Sequence, residues 1–308
     1  MFWLFPCRYY YKIIHGTGAQ EGQDMKTGFI GLGHLGKAMA RRLMSEGTEL
    51  VVWNRTAEKA ADLGVAVADS PADLAAKTDV IFMNLFDSEA VWSVVSGTDG
   101  ILNADCTGRI IIDTSTNHFE DVTHFHEMLK EKGASYLEAP VLGSIVPASQ
   151  GSLTVLVSGD RHAFERALPL IEKIGRNIFY LEKPALATKM KLINNLVLGT
   201  FMATLAEAVT FAEGAGIEKA NAIAMLLAGA GNSAVLHAKK EKLLNEDFST
   251  QFSSALIYKD LHYLQDLAFS LKRPLFTGAV AKELFGLTFK KKMGDLDFSA
   301  IYRVMKEL

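Results

Sequence analysis

The stretch GFIGLGHLGKAMA, residues 28–40, decides the fold of this chain. A short β-branched and aromatic run ends in Gly31-Leu32-Gly33-His34-Leu35-Gly36, and a helical pattern starts at once behind it. Each glycine has its own task in that setting. Gly31 permits a tight turn, Gly33 lets the backbone approach a pyrophosphate, and Gly36 lets the helix pack closely on the strand. The helix N-terminus adds unpaired N–H groups and a positive dipole end, so the six residues Gly31 to Gly36 form a candidate dinucleotide-phosphate loop. The plainer alternative is a glycine-rich turn that holds no ligand.

Outward from this loop the pattern repeats. A helix is expected to about Glu46, then the strand ELVVWN (49–54), a helix near Glu58 to Leu63, and buried apolar runs at DVIFMNL (79–85), RIIIDTST (109–116) and SYLEAPVLG (135–143). Strand and helix in alternation predict a parallel sheet with crossover helices, whose ligand crevice lies at the strand ends. SLTVLVSG (152–159) and NIFYLE (177–182) complete the strands. After Pro184 the apolar spacing becomes three and four with almost no β-run, which predicts an all-helical second part. Its first helix, from about Thr188 to Glu213, stops at Gly214-Ala-Gly216. The fold expected is α/β, an N-terminal Rossmann doubly wound sheet over residues 25–186 joined by a long interdomain helix to an all-α domain, 187–308. Residues 1–24 read as a leader-like extension before a natural start at Met25.

Composition narrows the function classes. Of 308 residues 49% are hydrophobic and 22% charged, with a net charge of −3. That is an average globular balance with no electrostatic footprint for nucleic acid or an anionic membrane. No run of about 18 apolar residues is evident, so no membrane span is expected. Cys7 and Cys106 are the two cysteines. They lack metal-ligand spacing and suit a reducing, cytoplasmic setting. His124 and His126, two residues apart on a helix, are poor metal ligands, and no metal site is expected.

Two further groups carry chemistry. Some 20 residues past the glycines, where an NAD enzyme commonly places an acid for the ribose 2′-OH, this chain has Asn54-Arg55-Thr56. Arg55 can pair with a 2′-phosphate and its neighbours can donate hydrogen bonds, which favours NADP(H) over NAD(H); a solvated surface arginine is the plainer alternative. In KMKLINN, 189–195, Lys191, Asn194 and Asn195 share one helical face, within about 60° of Lys191. Lys189 falls about 160° away and should meet solvent. A lysine among apolar residues requires partners or a purpose, and protonating an oxyanion during carbonyl reduction is such a purpose. A snorkelling lysine with loop-capping asparagines is the other reading.

These residues resemble the β-hydroxyacid dehydrogenase family, and within it the NADPH-dependent glyoxylate/succinic semialdehyde reductases and the 3-hydroxyisobutyrate dehydrogenases. GFIGLGHLGKAMA, VWNRT, DTST, EAPVLGS with a later QGSL, KMKLINN, YKDL and GDLDFSA carry the likeness, which runs from Met25 onward. The resemblance implies that Lys191 is the catalytic lysine and Asn195 its helical partner, that Thr116 contacts the cofactor, and that Ser115 lies at the same strand end beside the nicotinamide. It also implies that Lys259 closes over the cofactor while Asp260 holds local helix geometry, and that Gly143 and Ser144, with Ser115, receive the substrate carboxylate. Two positions depart from the family pattern. Leu142 stands where Ser is usual, and Lys183-Pro-Ala-Leu-Ala187 replaces glycines ahead of the lysine helix.

The activity expected is NADPH-dependent reduction of a small aldehyde acid by a homodimer or homotetramer, with no nucleic-acid or membrane partner. A 3-hydroxyisobutyrate dehydrogenase is the alternative within the family; an imine reductase usually lacks the lysine. A non-catalytic NADP-binding sensor or interaction protein is the alternative of another class. His34 is expected to serve only as part of the loop, and Phe201, Met202 and Phe211 as core.

Overall fold

A computed structural model describes residues 25–307. The expectation for residues 1–24 lies outside them. Nine strands run β1 (Thr27–Ile30), β2 (Leu50–Trp53), β3 (Ala66–Val67), β4 (Val80–Met83), β5 (Ile110–Asp113), β6 (Ser135–Glu138), β7 (Val141–Leu142), β8 (Leu153–Gly159) and β9 (Gly175–Tyr180). Between them lie α1 (His34–Ser45), α2 (Pro71–Lys77), α3 (Ser88–Ser96), α4 (Phe119–Glu131), α5 (Ile145–Ser149) and α6 (Arg161–Ile174). The strand order is β3-β2-β1-β4-β5-β6-β8-β7, with β9 also paired to β8.

The six strands from β3 to β6 are parallel, in the order of a doubly wound dinucleotide fold. Alternation along each strand supplies both faces. Phe29, Phe82, Ile112 and Leu137 form one core cluster with Met39 and Leu43 of α1 and with Phe164 and Ile171 of α6. The adjacent residues Ile81, Ile111 and Tyr136 are likewise buried, as are Val122, Phe125 and Leu129 of α4. Both sides are covered, which is what near-continuous apolar strands require.

The structure refines three expectations. The run 135–143 is two strands broken at Ala139-Pro140, and β8 runs antiparallel to both β6 and β7 but parallel to β9. Proline lacks the ladder N–H, and strand direction beyond it is set by pairing rather than by local pattern. The helix expected near 58–63 is a short 3-10 turn, Ala57–Ala60.

The remaining helices are α7 (Leu186–Gly214), α8 (Lys219–Ala228), α9 (Ala234–Asn245), α10 (Ser254–Ser270), α11 (Thr277–Lys290) and α12 (Ile301–Lys306). The chain divides into two compact units between Lys191 and Leu192. That is five residues later than the expected boundary, because the first turn of α7 is bonded to β6, β8 and the segment after β6. In the second unit Asp297, fully buried, accepts from Lys239 Nζ at 2.9 Å, from the Gln251 and Phe252 amides at 3.1 and 3.2 Å, and from the Ser299 hydroxyl at 2.7 Å. The GDLDFSA segment therefore organises the helical unit from within.

α7 is long and apolar enough, by length and composition alone, to cross a bilayer, which the sequence reading did not anticipate. The placement of its aromatics also differs from expectation. Met202 is buried, whereas Phe201 and Phe211 are exposed, at 46% and 70%. Apolar residues occupy more than one face of this helix, so spacing alone does not say which face packs inward.

Candidate active site

The glycine loop has the shape its sequence requires. Gly31 adopts φ +94°, and a Cβ there would lie 2.2 Å from the Asn84 carbonyl oxygen; a Cβ on Gly36 would lie 2.0 Å from the Gly31 carbonyl. Only glycine fits at either place. Gly33 differs: it is exposed, it is the N-cap of α1 without a side-chain cap, and a Cβ there would meet nothing within 4 Å. No acid lies in the first turn of α1, which begins at His34 and Leu35. An uncapped, acid-free helix N-terminus under an open approach fits the pyrophosphate of a dinucleotide.

Asn54 braces this loop. Its Oδ1 accepts from the Leu32 amide at 2.8 Å and its Nδ2 donates to the Thr56 carbonyl at 2.8 Å. The expected hydrogen-bond donor to a 2′-phosphate is thus engaged in shaping the end of β2. Arg55 and Thr56 are exposed there.

β4 adjoins β1, the strand that leads into the glycine loop, and β5 adjoins β4. Asp113, 1% exposed, accepts from the Ser115 amide at 2.9 Å, from Asn117 Nδ2 at 2.8 Å and from the Tyr136 hydroxyl at 2.7 Å. Burial pushes its carboxyl up, and these hydrogen bonds oppose the shift. The buried Ser115 Oγ accepts from the Leu85 amide at 2.8 Å, while Thr116 is half-buried. Ser115 thus stitches two strand ends together, a role that its motif alone did not reveal.

Lys191, 7% exposed, donates from Nζ to the Val141 carbonyl at 2.9 Å. That carbonyl belongs to the Ala139–Ser144 segment assigned from resemblance to the substrate carboxylate. Leu142 is paired with Thr154 of β8, Gly143 follows at φ +127°, and Ser144 is the uncapped N-cap of α5. One turn before Lys191, the Thr188 amide donates to Glu138 Oε2 at 2.9 Å and the Ala187 amide to Ser158 Oγ at 3.0 Å. Burial pushes the Glu138 carboxyl up to about 7. Lys189, expected in solvent, is half-buried with Nζ 5.4 Å from the centre of the Phe119 ring, a cation–π contact.

In the second unit Asn195 is fully buried. Its Nδ2 donates to Asp260 Oδ2 at 2.6 Å, and its Oδ1 accepts from Asn194 Nδ2 at 3.1 Å. Lys259 Nζ lies 3.0 Å from Asp260 Oδ1, at an angle outside hydrogen-bond geometry, and 5.0 Å from the centre of the Tyr263 ring. Asp260 therefore reaches from α10 to α7, beyond the local role its motif suggested. A signal was available: Ile257, Asp260, Leu261 and Leu264 fall on one helical stripe, and an acid on an apolar stripe needs a buried partner. Among the described residues no three His, Cys, Asp or Glu side chains gather as a metal site.

Comparison with known proteins agrees with this architecture. Residues 26–181 match the family described as the NAD binding domain of 6-phosphogluconate dehydrogenase. Residues 186–305 match that described as NAD-binding of NADP-dependent 3-hydroxyisobutyrate dehydrogenase. Glyoxylate/succinic semialdehyde reductase 1 of Arabidopsis thaliana is 33% identical over 285 residues, 92% of this chain and 99% of that protein. Cytokine-like nuclear factor N-PAC of Gallus gallus is 34% identical over 291 residues, 93% of this chain; the chain spans about half, 52%, of its length. A crystal structure of 3-hydroxyisobutyrate dehydrogenase from Salmonella typhimurium superposes with a TM-score of 0.84 at 26% identity, over 91% of this chain and 99% of that one. The chain belongs to the β-hydroxyacid dehydrogenase family and is an NAD(P)-dependent oxidoreductase acting on CH–OH groups.

Proposed function

We propose that this protein reduces a small aldehyde acid, such as glyoxylate or succinic semialdehyde, to the hydroxy acid with NADPH in preference to NADH. The observation that carries the reading is a buried ammonium, Lys191, held on the backbone of the substrate loop. When bound, the reduced nicotinamide supplies the hydride for the carbonyl carbon. Lys191 donates a proton to the carbonyl oxygen as negative charge develops there. Its Nζ donates to the Val141 carbonyl. A carbonyl acceptor has no proton to exchange, so it orients Lys191 without competing for the chemistry.

Ser115 and the Gly143-Ser144 backbone receive the substrate carboxylate in this reading. Asn195 and Asp260 fix the helix beyond Lys191, and Lys259 closes over the cofactor. The Gly31–Gly36 loop takes the pyrophosphate. Arg55, exposed at the end of β2, pairs with the 2′-phosphate, and the half-buried Thr116 contacts the cofactor. The name of the Arabidopsis relative supports the substrate class. A cytoplasmic homodimer or homotetramer without nucleic-acid or membrane partners completes the proposal.

Steady-state NADPH oxidation with glyoxylate, succinic semialdehyde, methylmalonate semialdehyde and tartronate semialdehyde tests it, with Leu142→Ser showing whether that position sets the choice. Lys191→Ala should lower kcat by about 10²-fold or more and leave NADPH affinity nearly unchanged. Near-normal turnover in that variant removes the proton-donor role. A second reading, a non-catalytic NADP-binding interaction protein, is favoured by the name of the nuclear-factor relative. Absence of NADPH oxidation with all four aldehydes, alongside normal NADPH binding, would select it.

A further inference from the structure

The helix that carries Lys191 has no cap of its own. α2, α3 and α6 each open with a local Ser or Asp whose side chain accepts the amide three residues on: Ser70 from Asp73, Asp87 from Ala90, Asp160 from Ala163. α7 opens through Ala185, a buried alanine at φ +66°, in the left-handed region that favours glycine. Its first regular bond runs from the Lys189 amide to the Ala185 carbonyl at 2.9 Å, so the amides before it need partners from elsewhere.

The sheet supplies two of them, while the Leu186 amide donates to the Lys183 carbonyl at 3.3 Å. Ser158 of β8 takes the Ala187 amide and Glu138 of β6 takes the Thr188 amide, and these two side chains are register partners across the antiparallel β6–β8 pair. Glu138 is 1% exposed; Ser158 and Thr188 are fully buried. Three residues along both chains the arrangement recurs, with Lys191 Nζ on the Val141 carbonyl. One helical turn is thus pinned at each end, by Glu138 at Thr188 and by Val141 at Lys191. The second pin is the side chain that is read as doing chemistry; the first is free to act only on position.

We propose that Glu138 is a positioning residue for the reaction: through the Thr188 amide it fixes the register and rotation of the first turn of α7, and so sets the Lys191 ammonium at the Val141 carbonyl. The proposal rests on the reading of Lys191 as proton donor. Glu138 Oε1 and Thr188 Oγ1 are both buried, and neither makes a hydrogen bond of regular geometry among the described residues. A carboxyl that keeps its proton can donate to the Thr188 hydroxyl oxygen, and a glutamine amide offers the same acceptor and donor in the same volume. The strained entry at Ala185 makes the external clamp necessary, since a turn that starts in an unfavourable conformation does not hold its own rotation.

The test compares wild type, Glu138→Gln, Glu138→Ala, Glu138→Asp and Lys191→Ala in the intact protein. It reads kcat and KM with NADPH and succinic semialdehyde, NADPH affinity by fluorescence, and hydrogen–deuterium exchange of the peptide covering 185–192. Glu138→Ala should lose about 10²-fold in kcat, the scale of an ångström's misplacement, with KM and NADPH affinity changed by less than about threefold and exchange at 187–188 accelerated. Glu138→Gln should keep both turnover and protection near wild type. Where Glu138→Ala does not fold, Glu138→Asp, whose carboxyl is withdrawn by one methylene, should show the same pattern at about tenfold. Unchanged exchange in the Ala or Asp variant, turnover within about threefold of wild type in both, or a Gln variant as impaired as Ala each overturns the proposal. Near-normal turnover in Lys191→Ala strikes the proton-donor reading instead, and the exchange data still decide whether the clamp exists.

Discussion

Two buried groups in the first unit titrate against each other, and removing either should expose the other. Burial pushes the Glu138 carboxyl from its ordinary 4.5 up to about 7, with the hydrogen bond from the Thr188 amide opposing the shift. Burial alone pulls His126 from 6.5 down to about 4; its Nε2 is buried without a hydrogen-bond partner among the described residues, and its ring stands edge-on to Tyr136 at 4.8 Å. The signs are opposite. Glu138, raised in the folded state, contributes stability that is complete below 4.5 and lost as pH rises through 7. His126, depressed in the folded state, contributes stability present above 6.5 and lost as pH falls toward 4.

With those values, acidification from pH 6.5 to 4.5 gains about 2 kcal/mol from Glu138 and loses about 2 kcal/mol from His126. Their sum is nearly level. Relative to wild type, Glu138→Gln should therefore lose about 2 kcal/mol of stability on acidification over that window, His126→Phe should gain a similar amount, and the double variant should run parallel to wild type. Urea unfolding at half-unit pH steps and constant ionic strength measures this, using the fluorescence of Trp53 and Trp92, which both lie in the first unit. Parallel curves for wild type and Glu138→Gln between pH 4.5 and 6.5 would refute the assignment of that buried proton.

Other outcomes are expected elsewhere in the molecule. Arg55→Ala should reduce the NADPH-to-NADH ratio of kcat/KM by about 10- to 100-fold, the worth of a charge-assisted contact to the 2′-phosphate; an unchanged ratio places cofactor choice in other residues. Asn195→Ala leaves Asp260 Oδ2 without its 2.6 Å donor, so unfolding free energy should drop by about 1–3 kcal/mol, as denaturant titration would read. Asp297→Ala strands the Lys239 ammonium, 6% exposed, among buried groups and should cost about 3–5 kcal/mol, whereas replacing both by apolar residues of similar size should recover most of the loss.

Much of the fold was legible because its determinants are local. Gly31 and Gly36 are required by contacts within a few residues of the loop or on the adjoining strand, and the apolar strands announce themselves by β-branched runs. The antiparallel placement of β8 between β6 and β7 was not legible, since direction depends on which edge receives a strand after Ala139-Pro140 breaks the run. At the site, Lys191 stood out as a charge in an apolar helix. Its acceptor did not, because a backbone carbonyl fifty positions away has no side-chain signature. Glu138 was hidden for a related reason: it ends an apolar strand and its partner is an amide. Asn54 and Ser115 were read for what they offer a ligand, yet their visible bonds hold loops together. Lys189 pointed the right way for solvent by helical arithmetic, but an aromatic ring on α4 lies in its path.

The hydrogen bond between Lys191 and the Val141 carbonyl has an implication for anyone seeking to retune substrate choice. The same short stretch of backbone that is read as greeting the substrate's acid group also seats the lysine proposed as proton donor, so on that proposal exchanging the whole stretch for that of a relative would shift selectivity and turnover in one stroke. Alterations confined to the Leu142 side chain leave the path of the backbone alone, and offer a route to new preferences that does not unsettle the chemistry.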